Sequence, residues 1–127
     1  MARKVRCPCQ GQTLDRLLQP ALLSLLAREP LSGYSLLRRL GGLPLFAESL
    51  PDSTGLYRAL RGLEDRGMVK GAWRLSRRGP AKRVFSLTPA GARCVANWVR
   101  TLDAYRRHLA CLVALAKRRP RQAASGK

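Results

Sequence analysis

Thr54, Tyr57, Arg58 and Arg61 recur at helical spacing in the segment STGLYRALRGLEDRG, opposite an apolar face of Leu56, Ala59, Leu60 and Leu63. One face packs. The other carries hydroxyl, phenol and guanidinium groups, which is chemistry for a polyanion: cations attract phosphate, and side chains early in a reader helix can meet base edges in a major groove. Thr54, Tyr57 and Arg58 are the candidates for base edges and flanking phosphates, with Arg61, further back, for phosphate. Downstream, Arg77, Arg78, Gly79 and Pro80 precede Lys82 and Arg83, so a turn held by glycine and proline lifts several cations toward a neighbouring backbone. Taken singly, such a hairpin is equally a solvated sheet edge guarded by its charges. A reader helix followed by a basic wing points to DNA.

Composition bounds the alternatives. The 127 residues suit one domain with a modest core and a helical extension for self-association. The formal charge of +18, from 25 Lys and Arg against 7 Asp and Glu, implies a polyanionic partner, nucleic acid ahead of an anionic membrane surface. No apolar run approaches the roughly 18 residues of a spanning helix, and MARKVRCPCQ lacks a following apolar stretch, so the expected location is the cytoplasm, without a membrane partner. The expected organisation is a flexible basic N-terminus over 1–12, a DNA-binding domain over 13–88, a dimerisation helix over 89–117 and a disordered basic tail over 118–127.

The elements that position the candidate residues follow from periodicity. Leu14, Leu17, Leu18, Leu22, Leu25 and Leu26 form a helical stripe, with Pro20 placed either to kink the helix or to occupy its first turn; the more continuous helix spans 20–28. Pro30 stops it. Ser32 starts a second helix that turns Leu36, Leu37 and Leu40 inward and ends at Gly41 and Gly42, and residues 43–52 are a loop. Asp52 caps the reader helix and Gly67 takes positive φ after it. Val69, Gly71, Trp73 and Leu75 alternate as the buried face of a strand, continued by Phe85 and Leu87 on the return. Thr88 and Pro89 start a long helix whose residues Val95, Trp98, Leu102, Tyr105, Leu109, Leu112 and Ala116 keep a heptad seam. Pairing with a second copy is the simplest way to cover that seam, although folding back on its own domain has the same period. The fold class expected is mainly α with a small β-hairpin wing (α+β): a winged helix-turn-helix domain plus a long C-terminal dimerisation helix.

Catalytic constellations are not seen. The sequence has no HExxH, no glycine-rich phosphate loop, no GxSxG elbow and one histidine, His108, so no enzyme is expected. Cys7 and Cys9 form a CxC beside Arg3, Lys4 and Arg6, which favour thiolate; a metal or redox centre there would need ligands from a partner subunit or a cluster, and inert thiols are the default. Cys94 and Cys111 are 17 residues apart and face different sides of one helix. Beyond these low-ranked cysteines, no cofactor is expected. The rival functions are a non-sequence-specific basic nucleic-acid-binding protein, architectural or RNA-binding, and an interaction module whose heptad helix recruits a different partner.

Three segments, QPALLSLLAREPLSGYSLLRRL, STGLYRALRGLEDRGMVKGAWRL and RRGPAKRVFSLTPAG, resemble in order and spacing the PadR family of transcriptional regulators, and the trailing helix resembles that family's dimerisation helix. The resemblance implies a winged-helix homodimer, usually a repressor on a pseudo-palindromic operator; a repressor in turn needs an effector that binds its DNA-competent and incompetent forms differently. It places Ser53, Thr54, Gly55, Tyr57 and Arg58 where the family's motif approaches DNA, Tyr34 in the preceding helix's GY motif, and Arg78, Gly79, Lys82 and Arg83 in the wing. The family often reads SPGTLYR at the reader helix; this chain reads DSTGLYR. Family members that sense small molecules do so between subunits, which makes Trp98 and Tyr105 the candidates for an effector slot, with coiled-coil packing as the alternative.

Overall fold

The computed structural model describes residues 17–47, 50–75 and 77–118. Leu14, Cys7, Cys9 and the expected N-terminal arm lie outside them, as does the tail beyond Arg118. The elements run α1 (Leu18–Leu26), β1 (Leu31–Ser32), α2 (Gly33–Gly41), α3 (Ser53–Asp65), β2 (Val69–Arg74), β3 (Lys82–Leu87) and α4 (Pro89–Lys117), which is mainly helical with a three-stranded antiparallel sheet. The chain divides into two compact units, Met1–Val95 and Ala96–Lys127.

Local signals set the helix ends in the first unit. Pro20 occupies the first turn of α1, where its missing N–H leaves no intrahelical bond unmade. Ser32 caps α2 by accepting from the Ser35 N–H at 3.2 Å, and Asp52 caps α3 by accepting from the Gly55 N–H at 2.8 Å. At the other end of α3, Gly67 has φ 76°. Its N–H reaches the Glu64 carbonyl, and the following Met68 N–H reaches that of Leu63, so two terminal carbonyls are satisfied by one left-handed residue.

The core is one layer of leucines closed by two phenylalanines. Leu22, Leu23 and Leu26 of α1, Leu36 and Leu40 of α2, and Leu56, Leu60 and Leu63 of α3 are all buried around Phe46 and Phe85, with Leu31 and Val69 at the edge. Leu37, expected inward, is half-buried, as are Leu25 and Leu87.

Three features depart from the sequence reading. Residues 43–52 are not uniformly loop: Pro44–Phe46 form a 3-10 turn that drives Phe46 into the core. The hairpin acquires a third strand, because Leu31 and Ser32 pair with Phe85 and Val84, making β3 the central strand in the order β1-β3-β2. The face of β2 is buried only at Val69; Trp73 is 69% exposed and Leu75, just past the strand, 86%. Alternation fixes the side a residue faces, and says nothing of whether anything covers it.

The start of α4 is set by a close approach. Thr88 donates its N–H to the Met68 carbonyl at 3.0 Å, its hydroxyl reaches the Gly67 and Met68 carbonyls, and the same oxygen accepts from the Gly91 N–H. Gly91 is buried, and a Cβ there would stand 2.1 Å from the Met68 oxygen and 2.7 Å from Leu87 Cδ1. Gly91→Ala is therefore expected to destabilise the protein by about 2–3 kcal/mol. Gly62→Ala, inside α3 with no atom within 4 Å of the added carbon, should stabilise it by about 0.5–1 kcal/mol. Urea unfolding of the two variants checks the opposite signs.

Candidate nucleic-acid interface

The outer face of α3 is the starting point. Ser53, Thr54, Arg58 and Arg61 are exposed, while Gly55 is half-buried at the capped turn. Thr54, Arg58 and Arg61 point away from Leu56, Leu60 and Leu63 because the helix has a single buried stripe, whereas Ser53 is exposed as the first residue of the helix.

Tyr57 does two things. Its side chain is 46% exposed, yet its ring lies against Gly33 so closely that a Cβ on Gly33 would meet the phenol oxygen at 2.2 Å. The same ring tilts against Phe85, centroids 6.5 Å apart. Tyr57 thus joins the first turn of α2 to α3, and the glycine of the GY pair exists to admit it. Tyr34, beside that glycine, is exposed, with the Arg38 guanidinium 5.9 Å from its ring centroid.

The hairpin supplies the second group. Val69 to Arg74 pair in register with Leu87 to Lys82, and Gly79, with φ 92°, turns the chain among exposed Arg77, Arg78 and Lys82. Arg83 differs from these cations. Its guanidinium donates to Glu64 of α3 at 2.7 Å, lies 5.2 Å from the Phe85 ring centroid, and fills the space a side chain on Gly71 would need. Glu64 also accepts from the Gly71 N–H at 3.3 Å. One carboxylate therefore ties the C-terminal part of α3 to both strands of the wing, and Arg83 is half-buried in that link.

The sequence reading assigns Glu64 no role. A signal for Arg83 was present: it alternates with Phe85 and Leu87, which sets it on the inward face of β3.

In the second unit, α4 carries Trp98 and Leu102 half-buried, and Tyr105, Leu109 and Leu112 exposed, the last two at 58% and 59%. Val95, at the end of the first unit, is half-buried. Val99, Val113 and Leu115 are exposed as well, so the apolar surface is broader than a strict heptad seam. On the polar side, Asp103 accepts from Arg106 and Arg107, both at 2.6 Å; the hydrogen bond and charge of Arg106, then the charge of Arg107, hold its carboxyl below the ordinary aspartate value. Cys94 is half-buried and Cys111 exposed, both as free thiols, and no metal-ligand cluster occurs among the described residues. No helix among them is long and apolar enough to cross a membrane.

Residues 22–97, which hold the second half of α1, α2, α3, the wing and the first turns of α4, match the transcriptional regulator PadR-like family. The chain belongs to that family. PadR-like proteins are transcriptional regulators rather than enzymes, so the absence of a catalytic constellation in the sequence needs no further account. No functionally curated protein matches the chain in sequence.

Solved structures repeat the PadR-like fold. A transcriptional regulator from Thermoplasma acidophilum is 22% identical with a TM-score of 0.69, over 81% of this chain and 96% of that one. A PadR-like regulator from Bacillus cereus is 18% identical, TM-score 0.71, over 80% and 96%. PadR of Bacillus subtilis, solved in complex with operator DNA, is 24% identical, TM-score 0.58, over 65% of this chain and 46% of that one, so the alignment spans about half of the Bacillus subtilis protein.

The Glu64–Arg83 link makes a stability prediction. Arg83→Ala should lower stability by about 1–2 kcal/mol, because a half-buried carboxylate loses a charged donor. Arg58→Ala and Arg61→Ala, on exposed side chains, should stay within roughly 0.5 kcal/mol of the parent. Chemical denaturation of the three variants separates the linked cation from the exposed ones.

Proposed function

We propose that this PadR-like protein is a sequence-specific double-stranded DNA-binding repressor, acting in the cytoplasm as a homodimer on a pseudo-palindromic operator and released by an effector. The observation that carries the reading is the capped helix α3, which presents Thr54, Arg58 and Arg61 to solvent beside a Gly79-tipped basic hairpin in a chain of net charge +18. The complex of Bacillus subtilis PadR with operator DNA supports it through the shared fold.

Roles divide by position. Thr54 and Arg58, on the first two turns of α3, meet base edges and flanking phosphates, with Ser53 and Gly55 at the helix start. Arg61, Tyr34 and the wing residues Arg77, Arg78, Gly79 and Lys82 meet backbone. Tyr57 contributes its exposed edge while holding α2 to α3. Arg83 is withdrawn from the phosphate-contacting set and acts by fixing the wing.

Affinity for the DNA flanking the coding region, against an equal-length random duplex at several salt concentrations, tests this. A preference of roughly a thousandfold for one palindromic site is expected. Arg77→Ala should flatten the salt dependence by about one unit of slope at all sites, whereas Arg83→Ala should leave the slope near the parent value. Equal affinity for both duplexes would leave only a basic nucleic-acid binder.

Dimerisation rests on Val95, Trp98, Leu102, Tyr105, Leu109 and Leu112, whose exposed members have no cover within one chain's second unit. An effector slot at Trp98 and Tyr105 would be completed by the second copy. Leu109→Glu with Leu112→Glu should convert the dimer to a monomer by light scattering and weaken operator binding by at least tenfold. A double variant that remains dimeric would reject this seam.

A further inference from the structure

The short strand β1 leaves a cavity beside the wing. After Leu31 and Ser32 pair with Phe85 and Val84, the chain turns into α2, so the outer half of β3 has no partner on that side. The space is about 370 Å³, bounded by the Ser32–Ser35 turn on one side and by Arg74, Lys82 and Val84 of the wing on the other. All of these residues belong to the first unit.

The electrostatics are one-sided. Arg74 and Lys82 are paired directly across the β2–β3 ladder, an arrangement in which like charges destabilise a sheet. Among the described residues no carboxylate forms an ion pair with either, and no acid lines the cavity. Glu29, an acid close in sequence to the rim, is engaged by Arg39 at 2.9 Å. Opposite the cations stand two hydroxyls: Ser32 Oγ donates to Ser35 Oγ at 3.2 Å, which leaves the Ser35 hydroxyl proton available to a ligand.

We propose that this cavity is a phosphate-ester site, in which Arg74 and Lys82 hold the anionic oxygens and Ser35 donates from the opposite rim. A guanidinium fork, an ammonium and a hydroxyl lining one cavity can each take a different oxygen of a tetrahedral phosphate, which offers more acceptor directions than the two oxygens of a planar carboxylate. The volume equals about a dozen waters at ~30 Å³ each, room for a phosphate together with part of its organic body, and Leu31 and Val84 give that body an apolar wall. The phosphate comes either from the backbone of bound DNA, which rests on the function proposed above, or from a free phosphorylated molecule.

The test uses the full-length protein, the cavity variant Ser35→Ala/Arg74→Ala, a charge-matched control Arg28→Ala, and the charge-conserving Arg74→Lys. Thermal melts confirm that all are folded. Inorganic phosphate and thymidine monophosphate are titrated by NMR, following the Ser35, Arg74 and Val84 amides, and duplex affinity is measured against salt. A salt slope lower by about one unit in the cavity variant alone assigns the phosphate to DNA. Saturable binding of thymidine monophosphate, lost in that variant and kept in the charge-conserving one, with the duplex slope unchanged, assigns it to a free ester. If the cavity variant matches the control in both measurements, the site is rejected. Operator preference of the parent protein is scored separately, so the cavity can fail while the DNA reading stands. Should the parent show no preference, the mononucleotide titration alone decides the cavity.

Discussion

Burial of the Phe85 ring on the central strand is the constraint around which the DNA-binding unit is arranged. Phe85 is 1% exposed and pairs with Leu31 on one side and Gly71 on the other. Tyr57 of α3 tilts against it and the Arg83 guanidinium lies over it. Phe85 therefore meets β1 and β2 through its strand and α3 through its ring. The two groups laid around it each demand a glycine: Gly33 makes room for Tyr57, and Gly71 for Arg83. These glycines are conditions of close approach rather than of unusual backbone angle, since only Gly67 and Gly79 take positive φ among the described residues.

That arrangement separates two kinds of cation which look alike in a sequence. Arg77 and Lys82 stand on the exposed side or tip of the hairpin, with water screening them and freedom to meet any phosphate. Arg83 is committed to Glu64, which also receives the Gly71 N–H, so its contribution is the angle of the wing to α3. A wing held at one angle loses less conformational freedom on binding than a loose hairpin would, and its exposed charges act from fixed positions.

Much of this was legible because it is local. The Asp52 cap, the left-handed Gly67, the Thr88 and Pro89 start, and the inward stripe of α3 depend on residues within a turn of one another, and each lies where spacing placed it. What escaped depends on distant partners. Two residues cannot announce a strand, and Leu31–Ser32 become one only because β3 has an open edge far along the chain, in the pairs Leu31–Phe85 and Ser32–Val84. Phe46 reaches the core through a 3-10 turn with no periodicity to reveal it. Trp73 follows the expected alternation and is still exposed, since coverage is set by where the helices end. The proposed DNA contacts, effector slot and two-copy seam are one step further removed: they concern partners, and a single chain's periodicity carries no label for what lies opposite.

The seam on α4 illustrates how far energetics can take such a pattern. Tyr105, Leu109 and Leu112 are 50%, 58% and 59% exposed, so completing their burial on two copies would contribute roughly 5–10 kcal/mol, a little over half of the about 1.5–3 kcal/mol that a fully exposed side chain gives. Association itself costs about 4–15 kcal/mol in lost freedom before side-chain ordering is included. The distal residues alone are therefore marginal, and a stable pair needs Val95, Trp98 and Leu102 nearer the DNA-binding unit to be drawn in as well. Those three are already half-buried in one chain, so each adds less new burial than its size implies. In such a pair the additional exposed residues Val99, Val113 and Leu115 would have a reason: a contact wider than two positions per heptad would supply the area that a strict seam of this length lacks.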